Sequence, residues 1–286
     1  MKIATAAYSL DWFDSFSEYE VKLTSWVEKA EGADLLVFPE YGAMELASLG
    51  GAEVASDLEA SLHEVARHTD AVGDLHQKLA ARHGCHILAA SGPVFAGDRP
   101  VNRAVLYGPG GCIGYQDKQI MTRFEREDWN VTGASGLRVF DTDLGRIGIL
   151  ICYDSEFPLL GRVLAEAQIE LILVPSCTDT IAGFHRVRIG AMARALESQC
   201  VVVQAPTVGS CDWMPAVDEN RGRAAIYGPP DGFWPETGII AEGEMDRPGW
   251  VTAQIDLSRV SQSRNDGAVL PYAHWPESTK SALVRD

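Results

Sequence analysis

Ile147-Gly148-Ile149-Leu150-Ile151-Cys152-Tyr153-Asp154-Ser155-Glu156-Phe157-Pro158 changes character at one residue. Up to Ile151 it is a nearly continuous apolar run, the pattern of a short strand buried on both faces. After Cys152, the residues Tyr153 to Glu156 suit a helix start, and Phe157, Leu160, Leu164 and Ala167 recur at helical spacing. The sequence therefore puts a thiol where a buried strand turns into a helix, and the partial positive charge of a helix N-terminus is expected to favour thiolate there. Taken alone, such a cysteine also reads as a small buried apolar residue. Its neighbours in space decide between the two.

Working outward, the same strand-then-helix pattern recurs on both sides. Lys2 to Ala7 and Asp34 to Glu40 read as buried strands around a helix from Ser17 to Ala30, and Asp57 to Arg82 reads as mainly helical, with an interruption at Asp70 to Gly73 and an end at Gly84. Cys85 to Ser91 is a further strand. Val101 to Tyr107 and Cys112 to Asp117 flank the turn cluster Gly108-Pro109-Gly110-Gly111 and make a hairpin. Downstream of the cysteine the pattern repeats, with strands at Glu170 to Pro175 and Cys200 to Ala205 around a helix from His185 to Ser198. Shorter strands follow at Gly222 to Tyr227, Ile239 to Ala241 and Trp250 to Asp256, and residues 257–286 read as an irregular C-terminal arm. Alternation of this kind predicts an α/β protein with helices layered on sheets, in one domain over residues 1–286.

Glu40, Lys118 and Cys152 each stand directly after an apolar strand segment. Strand ends are where α/β sheets present their chemistry, so one sheet edge can gather all three. The reaction such a group supports is acyl transfer from nitrogen. The thiol attacks a carbonyl or nitrile carbon, a carboxylate takes its proton and returns it to the leaving amine, and a lysine with the Tyr153 backbone N–H stabilises the oxyanion. No histidine occupies an equivalent strand end. The charged run Asp117 to Trp129 otherwise reads as an exposed loop.

At these residues the sequence resembles the nitrilase superfamily of carbon–nitrogen hydrolases. Phe38-Pro39-Glu40, Lys118 after its hairpin, and Gly148-Ile149-Leu150-Ile151-Cys152-Tyr153-Asp154 are similar to its three signature blocks, in order. Ala193 to Gln204 is similar to a fourth block, and the likeness covers most of residues 2 to 256. It implies a four-layer αββα sandwich and a Glu–Lys–Cys triad. In that triad Glu40 is general base and acid, Lys118 the oxyanion stabiliser and Cys152 the nucleophile. Homodimers or larger homo-oligomers built through outer helices are implied as well. A second glutamate soon after the lysine is also implied. Glu125 has the spacing before an aromatic, Trp129, that the family shows, and Glu127 is the alternative; Gly133 matches the glycine that follows, but Thr132 stands where a proline is common. The block from Lys118 is most similar to a branch of amidohydrolases some of whose members carry a fused acetyltransferase domain, which these 286 residues are expected not to include. Asp154-Ser155-Glu156-Phe157-Pro158 departs from the Arg-Phe-Pro-Glu pattern of many amide-cleaving members, which bears on the charge of the substrate. Ser176 and Cys177, ending the next strand, are expected as pocket walls with Tyr153 and Glu127. Arg186 and Arg188 are expected in salt bridges or an interface. Specificity is expected to reside in Arg123 to Gly136, Ser176 to Phe184 and Pro206 to Arg221.

Composition narrows the partners. The 286 residues carry 24 Lys and Arg against 40 Asp and Glu, a net charge of −16, which argues against a nucleic-acid or anionic-membrane surface and for a small-molecule partner. The N-terminus turns acidic before a signal-type apolar core is complete, and no apolar run is long enough to span a bilayer, so a cytoplasmic location is expected. Six cysteines without a paired framework fit a reducing compartment. No cofactor or metal is expected: His63 and His68 are five apart and do not share a helix face well, and the group His83, Cys85 and His86 lacks a fourth ligand. Beside amide hydrolysis, the alternatives are nitrile hydrolysis and a catalytically idle assembly partner of the same fold.

Overall fold

The computed structural model of the protein describes residues 1–281. Two sheets form its centre. In the first, the strands run in the order Gly249–Gln254, Lys2–Ala7, Leu35–Val37, His86–Leu88 and Pro100–Gly108, and both Gly92–Phe95 and Gly111–Asp117 pair with the last of these. In the second the order is Ile239–Glu242, Ala225–Tyr227, Val201–Pro206, Leu171–Ser176, Gly145–Ile149 and Val139–Thr142. Each sheet has three parallel strands flanked by antiparallel ones. The repeat seen in the sequence is therefore a repeat of sheets.

Successive strand residues point to opposite faces, and the apolar residues of the first sheet divide accordingly. Ile3, Leu35, Val37 and Leu88 join Ile147, Ile149, Leu171 and Leu173 in one core between the sheets. Ala4, Leu36 and Ile87 face the other way, into a core made with Tyr19, Leu23, Leu75 and Leu79 from the helices Phe16–Lys29 and Thr69–His83. On the far side of the second sheet lie helices Pro158–Glu166 and Ile181–Ser198, which contribute Leu164, Val187, Ala191 and Ala195. Gly148 shows how close that layer comes, since a Cβ there would meet Leu164 Cδ1 at 2.8 Å. The result is the four-layer αββα sandwich. Backbone bonds also tie the two sheets together just past the ends of Lys2–Ala7 and Val201–Pro206, from Tyr8 N to Pro206 O (2.9 Å) and from Val208 N to Tyr8 O (2.8 Å).

Several expectations change. Residues 257 onward do not form an irregular arm: Ser258–Asp266 and Pro271–Ser278 are helices, while 282–286 lie outside the described residues. Polar anchors hold them, with Arg264 Nη2 donating to Ile169 O (2.6 Å) and Trp234 Nε1 to Ser263 Oγ (2.9 Å) at the first and Tyr272 N donating to Gln199 Oε1 (3.3 Å) at the second, so no apolar period announces them. The long helical stretch breaks at His68, earlier than expected, into Leu58–Arg67 and Thr69–His83. Gly84 closes it at φ +60°, as a left-handed glycine cap does. Cys152 does not head a long helix. It begins a short 3₁₀ turn, Cys152–Glu156, and the helix follows only from Pro158.

Candidate active site

Glu40, Lys118 and Cys152 meet at one end of the sandwich. Glu40 follows the Leu35–Val37 strand, Lys118 the Gly111–Asp117 strand, and Cys152 the Gly145–Ile149 strand, and all three are buried. Lys118 Nζ donates to Glu40 Oε1 (2.7 Å) and to both oxygens of Glu125 (2.8 and 2.7 Å). Asn102 Nδ2 also donates to Glu40 Oε1 (3.0 Å). Among the described residues both side-chain donors to Glu40 use Oε1. Cys152 Sγ itself points to the carbonyl of Cys177 at 3.6 Å.

Glu125 lies in the segment expected to be an exposed loop. That segment instead holds a single helical turn, Arg123–Glu127, opened by a capping box in which Thr122 Oγ1 accepts from Glu125 N (3.3 Å) and Thr122 N donates to Glu125 Oε2 (2.8 Å), with a further bond from Thr122 Oγ1 to that oxygen (2.8 Å). Tyr41 OH adds a bond to Glu125 Oε1 (2.7 Å). Glu127, two residues on, is an exposed partner of Arg123 (2.8 Å), outside the cavity lining. On a turn this short, residues two apart face opposite ways. Ser176 is likewise turned away, its hydroxyl 3.4 Å from Ala205 O, because strand alternation sends it into the protein and its neighbour Cys177 into the cavity.

Electrostatics separates the roles these groups can take. Burial raises the Glu40 pKa, Lys118 pulls it back and the Glu125 charge raises it again, so it is pushed up to about 7. Burial would also raise Glu125, but Lys118, Thr122 and Tyr41 outweigh it and hold the group below the ordinary carboxylate value. Burial would lower Lys118, yet Glu125, Glu40 and Cys152 hold it well above its usual value, as an ammonium. Two carboxylates pushed apart in this way make one permanent anion and one group that exchanges protons near neutrality. For Cys152, burial and the Glu40 charge outweigh Lys118 and push the thiol up. The expected thiolate is therefore corrected to a resting thiol, since five residues of 3₁₀ turn supply little dipole against a buried carboxylate beside the sulfur.

Sequence reasoning missed Asp154. Its buried carboxylate accepts from Ile120 N (2.9 Å), Gln119 N (3.2 Å) and Ile151 N (3.3 Å), fastening the Lys118 loop to the Cys152 turn. Burial pushes it up to about 6. A carboxylate three residues after a strand end signals a cap, and only the fold shows that it caps two segments at once. Tyr41 and Asn102 were missed too. Cys152 and Tyr41 both have left-handed backbone (φ +48° and +53°), a conformation unusual outside glycine that concentrates at functional sites.

The thiol opens onto a cavity of about 570 Å³. Tyr153, Cys177, Trp129 and Phe124 form part of its wall, and all three segments expected to govern specificity contribute to it. Arg188 pairs with Glu242 at 2.6 Å, as a salt bridge; Arg186 stands 3.5 Å from Glu156 and also lines the cavity. No group of three or more His, Cys, Asp or Glu placed to hold a metal occurs among the described residues. His63 stacks on Phe95 and His68 on Phe16. Among the described residues no helix is long and apolar enough to cross a membrane.

The family model for carbon–nitrogen hydrolases matches residues 7–265. The chain belongs to the carbon–nitrogen hydrolase family. Among its relatives, the "Probable hydrolase YhcX" of Bacillus subtilis is 31% identical over 271 residues, 94% of this chain and 52% of that one. The "Deaminated glutathione amidase" of Yersinia enterocolitica is 31% identical over 163 residues, 51% of this chain and 56% of that one. The chain thus spans about half the length of the curated relatives it matches. Among solved structures, Saccharomyces cerevisiae Nit3, a member of branch 10 of the nitrilase superfamily, superposes with a TM-score of 0.72 at 18% identity, covering 92% of this chain and 93% of that one. That likeness carries the fold.

Proposed function

We propose that this hydrolase cleaves a non-peptide carbon–nitrogen bond, the amide of a small molecule, through a thioester on Cys152. The observation that carries the reading is the buried Glu40–Lys118–Glu125 cluster set against a thiol on the wall of the cavity. Glu40 takes the thiol proton as Sγ bonds to the carbonyl carbon, and Lys118 with the Tyr153 N–H supports the oxyanion. Glu40 then gives that proton to the amide nitrogen, the C–N bond breaks and the amine leaves. A water that Glu40 deprotonates attacks the thioester, and the departing sulfur regains its proton. Glu125 holds the lysine charged and aimed, and stays ionised throughout.

The amidase name of the Yersinia enterocolitica relative supports amides as the substrate class. Mass spectrometry of the protein mixed with slowly hydrolysed amides is expected to show an acyl mass on the Cys152 peptide that decays with turnover. Undiminished hydrolysis by Cys152→Ala would sink the mechanism. We also propose a homo-oligomer, supported by the exposed side chains Leu159, Val163, Ile189 and Leu196 on the two outer helices.

A further inference from the structure

The mouth of the Cys152 cavity is acidic. Four carboxylates line its outer part, Glu156, Asp179, Asp218 and Glu219, against two guanidinium groups, Arg123 and Arg186. Neither guanidinium balances the excess. Arg123 is engaged through Nε and Nη2 (3.0 and 2.8 Å) by Glu127, which lies outside the cavity. Arg186 faces Glu156. Of the other arginines close by in sequence, Arg221 is taken by Asp246 (2.7 Å), and Arg223 shares Glu242 (3.5 Å) with Arg188 and, like Arg188, lies outside the cavity lining. Asp179, Asp218 and Glu219 are thus left as a surplus of negative charge around the entrance. Deeper in, Lys118 is shared by two carboxylates, so the catalytic cluster is neutral or negative whichever state Glu40 is in.

The rim is built rather than loose. Thr178 Oγ1 donates to Arg221 O (2.8 Å), Arg221 N to Thr178 O (2.7 Å), and Cys177 Sγ to Asn220 Oδ1 (3.3 Å), stitching the segment after one strand to the segment that carries Asp218 and Glu219. Asp179 and Glu219 each adjoin one of these cross-links in the chain. The Glu219 N–H donates to the Asp218 carboxylate (2.9 Å), and Cys211 N to Asp218 O (2.7 Å). Fixed charges of one sign around a low-dielectric mouth concentrate ions of the other sign. Whatever reaches Cys152 passes between them.

We propose that the substrate carries a positive charge, an ammonium or guanidinium group, at the end remote from the scissile amide, and that Asp179, Asp218 and Glu219 select for it. The reaction rests on the amide-hydrolase reading above; the charge rests on the rim. The test therefore reads charge selection without turnover. Three haloacetamides of equal length, ending in a trimethylammonium, a neutral or a carboxylate group, are reacted with the whole chain, and modification of the Cys152 peptide is timed by mass spectrometry. The cationic probe is expected to react about threefold or more faster than the neutral one, and the anionic probe slower by a similar factor. Both gaps are expected to shrink in about 0.5 M salt and in the triple variant Asp179→Asn, Asp218→Asn, Glu219→Gln, whose folding is checked by thermal melting. Equal rates, a faster anion, or a preference that survives both salt and the triple substitution would overturn the proposal. If amides of every charge go unhydrolysed while the labelling order holds, the reaction is wrong and the charge selection stands.

Discussion

At Glu40 one carboxylate experiences opposing forces: burial, the largest, and Glu125 favour its protonated form and outweigh Lys118, which favours its anion. The balance, near 7, puts a predicted limb in the pH profile. A base must be ionised to take the thiol proton, so kcat/KM is expected to rise with pH through about 7 and then level. Glu40→Gln is expected to lower the rate by about 10²- to 10⁴-fold and remove that limb. Because the folded pKa lies above the ordinary carboxylate value of 4.5, this group favours the fold below that value and withdraws that support as pH rises through about 7. The glutamine variant is therefore expected to melt higher than the parent at pH 8. Glu125→Gln makes a separate prediction. It removes a negative charge that pushes Glu40 up, so the limb is expected to move to lower pH, while stability falls by about 3 kcal/mol because a buried ammonium loses a partner. A pH–rate series on this variant that leaves the midpoint in place would show that the two carboxylates do not communicate.

At the scale of elements, the site depends on two loops being held in register by Asp154. Asp154→Ala takes the acceptor from three amides, one buried and two partly buried, and on the order of 3 kcal/mol of stability is expected to go, read as a lower urea midpoint. If the residue positions the lysine against the sulfur, kcat is expected to fall far more than KM rises, and Asp154→Asn, which keeps one acceptor oxygen, to recover part of it. Equal losses in both variants with kcat intact would make it merely structural. The same comparison shows what could be read beforehand. Strand ends at Glu40 and Cys152 were legible because buried strands leave apolar runs, and a run's end is visible to the residue, whereas Lys118 ends a hairpin strand buried only at Gln116 and was located by the turn cluster before that strand. The turn carrying Glu125 was not, because five residues give no period and a run of charges reads the same whether solvated or folded around a lysine. Glu127 and Ser176 failed for a related reason: sequence gives proximity along the chain, while the side of the backbone that faces the cavity is set by turn and strand geometry. The C-terminal helices escaped because buried polar anchors hold them in place of an apolar stripe.

For the whole molecule, the outer layer of the second sheet is built against the Cys152 turn. Helix Ile181–Ser198 approaches the Cys152 turn so closely that a Cβ on Gly190 would stand 2.7 Å from Ser155 O, and Arg194 Nη1 donates to that same oxygen (3.0 Å). The opposite face of this layer exposes Leu159, Val163, Ile189 and Leu196 at 74, 52, 66 and 48%. Leu159 and Val163 are one turn apart on their helix, and Ile189 and Leu196 two turns apart on theirs, so each pair shares a face. A stripe of this kind on a chain of net charge −16 has to overcome like-charge repulsion to self-associate, and salt is expected to tighten the assembly. Leu159→Glu with Ile189→Glu adds charge at the centre of the stripe and is expected to yield a monomer by sedimentation. Because the helix bearing Ile189 also backs the Cys152 turn, separation is expected to reduce kcat and the melting temperature together while far-ultraviolet circular dichroism stays unchanged. An oligomer that persists in the double variant would place the contact on another face and leave the catalytic turn supported by its own chain alone.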